Sequence, residues 1–416
     1  MSQRQLSAAL ALALAACLGT DASAAEPPTL FSPLPESVAA TAGSDRVLTA
    51  IRADRAVVAS RLVAANAAQV AESTELLLLE LEPGLTVRGE RQIAYRNPDG
   101  TIVWSGLLDA DETRARLRLF GDAEVADAPE ASVLIVRNGD RLTGTVRAGA
   151  RLYRISPLAG GGHVVARVDE ALMPADHPAG YRPRPASAIE LDPAMLADKA
   201  NTVIRVGVLV ANSAASAIGD VTGFANLAVA ESNQGFANSG VQVTLQLAGV
   251  YTTAYNSAGF SNDLYRFAAN GDGQLDGWHA TRNSIAADVN VLVINNSSSC
   301  GIGYMNSNAN SAFSVVHYSC ATGYYSFGHE IGHNFGAHHN PEAPANNTTY
   351  AYGHGYLHPG SAWRTIMAYN CSSGCSRINY WSNPNRTYGG AAMGTTARHD
   401  NARLLNGRRG TVAGFR

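Results

Sequence analysis

Residues 6–16 form an uncharged, Ala/Leu-rich run between Arg4 and the small residues Ala22-Ser23-Ala24. The run is too short to cross a bilayer, which takes about 20 residues, so residues 1–24 are predicted to be an export signal. Leu14-Ala15-Ala16-Cys17 leaves a second reading open, a lipobox in which Cys17 carries a lipid anchor. The Ala-rich pattern of 46–70 predicts helix. Between 75 and 169 apolar and polar positions alternate instead, over 76–81, 91–95, 101–106, 115–120, 132–136, 142–146 and 163–168. The turns Asn97-Pro98-Asp99-Gly100 and Asn138-Gly139-Asp140 separate some of these runs, as expected of an antiparallel β module. Periodicity then stops. Pro174, Pro178, Pro183, Pro185 and Pro193 mark 170–200 as a linker or processing region.

From 201 the pattern changes again. Apolar runs at 203–210, 241–251, 289–294 and 313–318 predict strands. They alternate with helical spacing over 220–237 and in parts of 263–288, and a last helix is expected near 398–405. This order predicts an α/β (α+β) domain over 201–416 with a mixed sheet and a helix beneath it. The β-rich residues 25–200 stand before it.

That helix carries the chemistry. Residues 329–339 read His329-Glu330-Ile331-Gly332-His333-Asn334-Phe335-Gly336-Ala337-His338-His339. His329 and His333 are one turn apart and share a helix face, so both imidazoles can hold one metal. Gly336 can take the left-handed conformation that ends the helix. The returning chain then brings His339 in as a third ligand. Glu330 stands beside the first ligand, able to reach a water without binding the metal. Three protein ligands and an open position describe a catalytic zinc. With 40 Gly and 11 His in 416 residues, the Gly and third His would join a bare H-E-x-x-H by chance about once in 400.

The long motif resembles that of the metzincin zinc endopeptidases, and Thr365-Ile366-Met367-Ala368-Tyr369 resembles their Met-turn. Cys300-Gly301-Ile302-Gly303-Tyr304, Val315-Val316-His317-Tyr318-Ser319-Cys320 and Tyr380-Trp381-Ser382-Asn383-Pro384-Asn385 are similar to bacterial reprolysin/adamalysin-like members. The resemblance implies that His329, His333 and His339 bind Zn2+, that Glu330 is the general base and later acid, and that Met367 floors the site. Astacin- and serralysin-like members have a zinc-directed tyrosine at the position of Tyr369. The oxyanion role and a packed pocket wall are both open for it. One departure is Asn340, where adamalysin-type enzymes have Asp.

Four cysteines follow Cys17: Cys300, Cys320, Cys371 and Cys375. An even number in an exported chain predicts disulfides, and 300–320 with 371–375 is the most local of three pairings. His338 is expected to be a bystander, and His354 and His358 solvated loop residues. Asn270, Asp272, Gln274 and Asp276 alternate faintly like a Ca2+ loop, but Leu275 stands where such a loop needs glycine, which favours a polar turn.

The net charge of −3 gives no basic field for nucleic acid. Residues 26–200 hold 24 acidic and 19 basic side chains, against 9 and 11 from 201 onward, so the two parts have opposite net charge. The expected function is a secreted zinc endopeptidase acting on proteins or peptides, with 25–200 as its inhibitory propeptide. That segment has no cysteine to place on zinc, so inhibition would use another group or steric cover. The alternatives are a zinc amidase or peptidoglycan endopeptidase, and a surface adhesin with a vestigial metal site.

Overall fold

The computed structural model describes residues 29–109, 131–181, 191, 193–343, 350–372 and 374–416. The expected export signal, Cys17 and the strand at 115–120 lie outside these residues.

The alternating pattern of the first half builds one sheet. Its strands are β1 (Phe31–Pro33), β2 (Val57–Ala65), β3 (Leu76–Glu82), β4 (Leu85–Arg96), β5 (Ile102–Leu108), β6 (Ala131–Asn138), β7 (Arg141–Ala148), β8 (Arg151–Pro157) and β9 (His163–Val168). They lie in the order β1-β2-β9-β8-β7-β6-β5-β4-β3, with antiparallel neighbours throughout. The helix expected over 46–70 is corrected. Arg46–Ala53 is helical, started by the Asp45 carboxylate accepting from the Val47 amide at 2.8 Å. The chain then turns into β2, where pairing with β1 and β9 overrides the helical preference of its alanines. β8 was not expected from the pattern, although Leu152, Tyr153 and Ile155 in it are buried.

The second sheet holds β10 (Thr202–Ala211), β11 (Val243–Thr253), β12 (Val289–Ile294), β13 (Gly301–Gly303) and β14 (Phe313–His317), in the order β11-β10-β12-β14-β13. All pairs are parallel except that of the edge strand β13 with β14. Helix Val221–Ser239 makes the crossover from β10 to β11. The Asp220 carboxylate caps its start, and Gly240, at φ 70°, ends it.

This helix is buried along both sides because it lies between the two sheets. Its Leu227 and Ala230 pack with Val103, Leu134 and Val136 of the first sheet. Polar contacts run across the same junction. The Thr145 hydroxyl donates to Glu231 at 2.6 Å, and the Asn97 amide donates to Asn226 at 2.9 Å. The first sheet is therefore docked on the domain that carries the histidine motif.

The motif lies in helix Ser326–Phe335, which packs against β14 and β13. The last helix, Asn401–Ala413, is longer than its expected span. Cys300 pairs with Cys320 and Cys371 with Cys375, the local connectivity. Among the described residues no helix is long and apolar enough to cross a membrane.

Candidate metal centre and active site

The motif helix is shaped by what it must fit against. A Cβ on Gly332 would lie 2.6 Å from ring atoms of Trp381 and 3.0 Å from the Met367 sulfur. Glycine there lets the helix press onto the Met-turn, whose Met367 is fully buried beneath it. Gly336, at φ 107° and ψ 10°, ends the helix, and the Ala337 amide returns to the Gly332 carbonyl at 2.9 Å. The reversed chain carries His339 back beside His329 and His333.

Backbone carbonyls orient the rings. His329 Nδ1 lies 2.8 Å from the Ile366 carbonyl, and His333 Nδ1 lies 2.8 Å from the Ala337 carbonyl. A carbonyl only accepts, so each Nδ1 carries the hydrogen and each Nε2 presents a lone pair inward. Into the same spot comes a fourth imidazole, His177. Its Nδ1–H donates to the Gly301 carbonyl at 2.9 Å. Its Nε2 stands 3.1 Å from His329 Nε2, 3.2 Å from His333 Nε2 and 2.7 Å from His339 Nε2. Burial pushes the His177 pKa down to about 4 and those of the other three well below the usual range, so protons do not hold the cluster together near neutral pH. Inward-facing neutral nitrogens fit a soft-to-borderline divalent cation. Four nitrogens at zinc bond lengths form a tetrahedron with an edge of about 3.3 Å, slightly wider than the observed spacings. Among the described residues, these four histidines are the one buried group suited to a metal.

Glu330 sits beside this cluster, fully buried, with Oε1 3.9 Å from His177 Nδ1. A Cβ on Gly301 would come within 2.3 Å of that oxygen, so glycine in the edge strand makes room for the carboxylate. Burial pushes the Glu330 pKa well above the usual carboxylate range. A dication close by would act in the opposite sense.

The segment bearing His177 lies along the edge strand. The Cys300 amide donates to the Ala175 carbonyl at 2.8 Å and the Gly301 amide to the Asp176 carbonyl at 3.0 Å. Tyr181 stacks on His177 with ring centres 4.6 Å apart and donates from its hydroxyl to the Gly303 carbonyl at 3.2 Å. Asp176 turns into an ion pair with two buried arginines, Arg364 at 3.1 Å and Arg377 at 2.7 Å. These guanidiniums hold its carboxyl below the usual range despite burial.

The remaining candidates fall around this centre. Tyr369 stacks on His339, with ring centres 4.1 Å apart, and its phenol pKa is raised by burial. Asn340 accepts from the Tyr369 amide at 3.0 Å, joining the end of the histidine motif to the Met-turn. His338 is buried outside the cluster and pairs by its backbone with Gly353 and Gly355. His354 is a correction: it is buried, not solvated, and its Nδ1–H donates to the His339 carbonyl at 2.7 Å, bracing the third histidine. His358 packs against Trp363, away from the cluster. In the polar turn before residue 277, Asp276 accepts from the Gly271 and Gly273 amides. Sequence reasoning missed His177, Asp176, Arg364 and Arg377. A lone Asp-His pair in a Pro-rich stretch has no spacing to mark it.

Comparison with known proteins adds two findings. Residues 200–382 match the family model Reprolysin_5, of metallo-peptidase family M12. The chain is 42% identical over 406 residues to a peptidyl-Asp metalloendopeptidase of Stenotrophomonas maltophilia (strain R551-3), covering 95% of each. It is equally similar over 413 residues, 97% of each chain, to one of Xanthomonas campestris pv. campestris. A 188-residue stretch is 40% identical to the whole of the Pseudomonas fragi protein of that name. With its motif helix, Met-turn and converging histidines, the chain belongs to the metzincin-like zinc metalloendopeptidases of the M12 type.

Proposed function

We propose that the chain is the latent precursor of a secreted zinc endopeptidase that hydrolyses proteins or peptides at aspartate, as the names of its relatives suggest. His329, His333 and His339 would hold the zinc. Bound there, zinc supplies a Lewis acid for the scissile carbonyl and makes water more acidic. Glu330 would take the proton from the attacking water and hand it to the leaving amine. The Tyr369 hydroxyl would donate to the developing oxyanion. Residues 25–200, cut off after export, would be the propeptide.

The observation that carries the latent state is the fourth imidazole. His177 Nε2 lies among the three motif imidazoles, so a zinc held there would have four protein donors and no place left for water, as in a structural site. Residues 174–177 also cover the edge strand beside which a peptide would lie.

The test is turnover of casein by the zinc-loaded chain, before and after trimming, beside His177→Ala and Glu330→Gln, with N-termini read by mass spectrometry. The expected result is a silent full chain and activity after a cut between about 170 and 205. The uncut His177→Ala chain should gain only a small part of that activity, because Asp176 and the backbone of 175–176 still cover the edge strand. Glu330→Gln should be silent in every form. Zinc-bound, trimmed chain that turns nothing over would sink the reading.

A further inference from the structure

β15 (Trp363–Arg364) and β16 (Ser376–Arg377) pair in parallel with Arg364 opposite Arg377. The register brings two guanidiniums to one buried place, both with no solvent exposure. Their other partners are neutral. Arg364 donates to the Tyr324 hydroxyl at 2.5 Å and to the Ala368 carbonyl. Arg377 donates to the Tyr324 carbonyl at 3.0 Å, and its guanidinium lies 4.6 Å from the centre of the Tyr324 ring. Among the described residues the one carboxylate within ion-pair distance of either is Asp176. Two buried like charges need an anion, and among the described residues the domain itself supplies none within ion-pair distance.

The anion comes instead from the segment that crosses the histidine cluster, from the residue next to His177. A side chain leaving an extended peptide beside the metal position would enter the same place. We propose that Arg364 and Arg377 form the pocket that selects the aspartate of a substrate, and that Asp176 occupies it as a surrogate until the segment leaves. This rests on the endopeptidase reading and names its specificity-determining residues.

The geometry favours aspartate over its neighbours in chemistry. Asp176 reaches both guanidiniums while its own carbonyl is held by the Gly301 amide. A glutamate anchored there would drive an extra methylene into the arginines. An asparagine would turn an amide N–H toward donors. The Nε–H groups of both arginines still lack acceptors, so a carboxylate has further donors to use as it settles.

The experiment uses the full chain with Asp176→Ala and His177→Ala, which takes the carboxylate off the two arginines and the imidazole out of the cluster. Only main-chain hydrogen bonds then hold 175–176 against a competing peptide. Glu330→Gln is added for binding measurements. A fluorescent octapeptide with a single Asp is compared with its Asn and Glu counterparts by anisotropy. The expected result is binding of the Asp peptide tighter than the Asn peptide by about 100-fold or more, the loss expected when one side of a buried charge pair is removed. The Glu peptide should fall between them. Arg377→Gln should bring the Asp/Asn ratio close to one. The peptide comparison needs no arginine variant, so misfolding of that variant cannot hide the answer. Equal binding of Asp and Asn peptides would overturn the pocket whatever the chain hydrolyses. Selective binding with no hydrolysis once Glu330 is restored would support the pocket and overturn the endopeptidase reading.

Discussion

Both carboxylate oxygens of Glu330 are buried without a hydrogen-bond partner, an arrangement that structural carboxylates rarely tolerate. It suits a group that must exchange a proton with something bound beside it. Glu330→Gln in the trimmed protein is expected to lower peptide turnover by about 10²- to 10⁴-fold and leave zinc content unchanged. His329→Ala should lose the zinc itself; elemental analysis beside turnover separates the two. Glu231 makes a different prediction. Burial raises its pKa from 4.5 to about 7 although Thr145 and the Gly323 amide donate to it. Between those values the folded chain holds a proton that the unfolded chain releases, so this group's contribution to stability falls as pH rises from 4.5 through 7. Glu231→Gln has no such proton. Its thermal midpoint should exceed wild type at pH 8, by up to about 3 kcal/mol in stability, and the gain should vanish near pH 4.

At the level of elements, two disulfides fasten the walls of the site. Cys300–Cys320 spans a separation of 20 residues and anchors the edge strand, while Cys371–Cys375 spans 4 and lies just before Arg377. Loop-closure entropy makes the first worth about 3 kcal/mol and the second about 2 kcal/mol. Urea unfolding of the paired Cys→Ser variants should rank them in that order. The second pair should also weaken Asp-over-Asn selectivity more than it slows cleavage of the Asn peptide. The histidine motif was legible in the sequence because three of the four converging histidines fall within 11 residues of one helix and its turn. Met367 was legible because the Met-turn is a contiguous motif. The register of Arg364 against Arg377 was not, since both lie where the chain has no readable periodicity and are aligned by a two-residue ladder. β2 was misread because alanines within an isolated window favour helix, whereas the strands on either side of it decide its state. His177 lies 152 residues before His329, and only the docking of the first sheet brings them together.

Across the whole molecule that docking converges on Arg147. This buried side chain pairs with Glu170 at 2.7 Å, donates to the Tyr325 hydroxyl at 2.8 Å and reaches the Gly323 carbonyl at 2.6 Å. Tyr325, at φ 62°, is the residue from which the motif helix starts. Arg147→Met is expected to cost about 3 kcal/mol or more in denaturant unfolding of the full chain, by leaving Glu170 without its partner. The covalent continuity of residues 174–181 with the first sheet has a further consequence. While the backbone is whole, Asp176 and His177 act as a tethered ligand, at an effective concentration that short linkers bring to about the millimolar range. A single cut after them turns the same contacts into a bimolecular complex subject to mass action. On the proposed reading of residues 25–200 as a propeptide, activity would then depend on volume: a chain clipped there would stay quiet where it is crowded and gain activity as it is diluted.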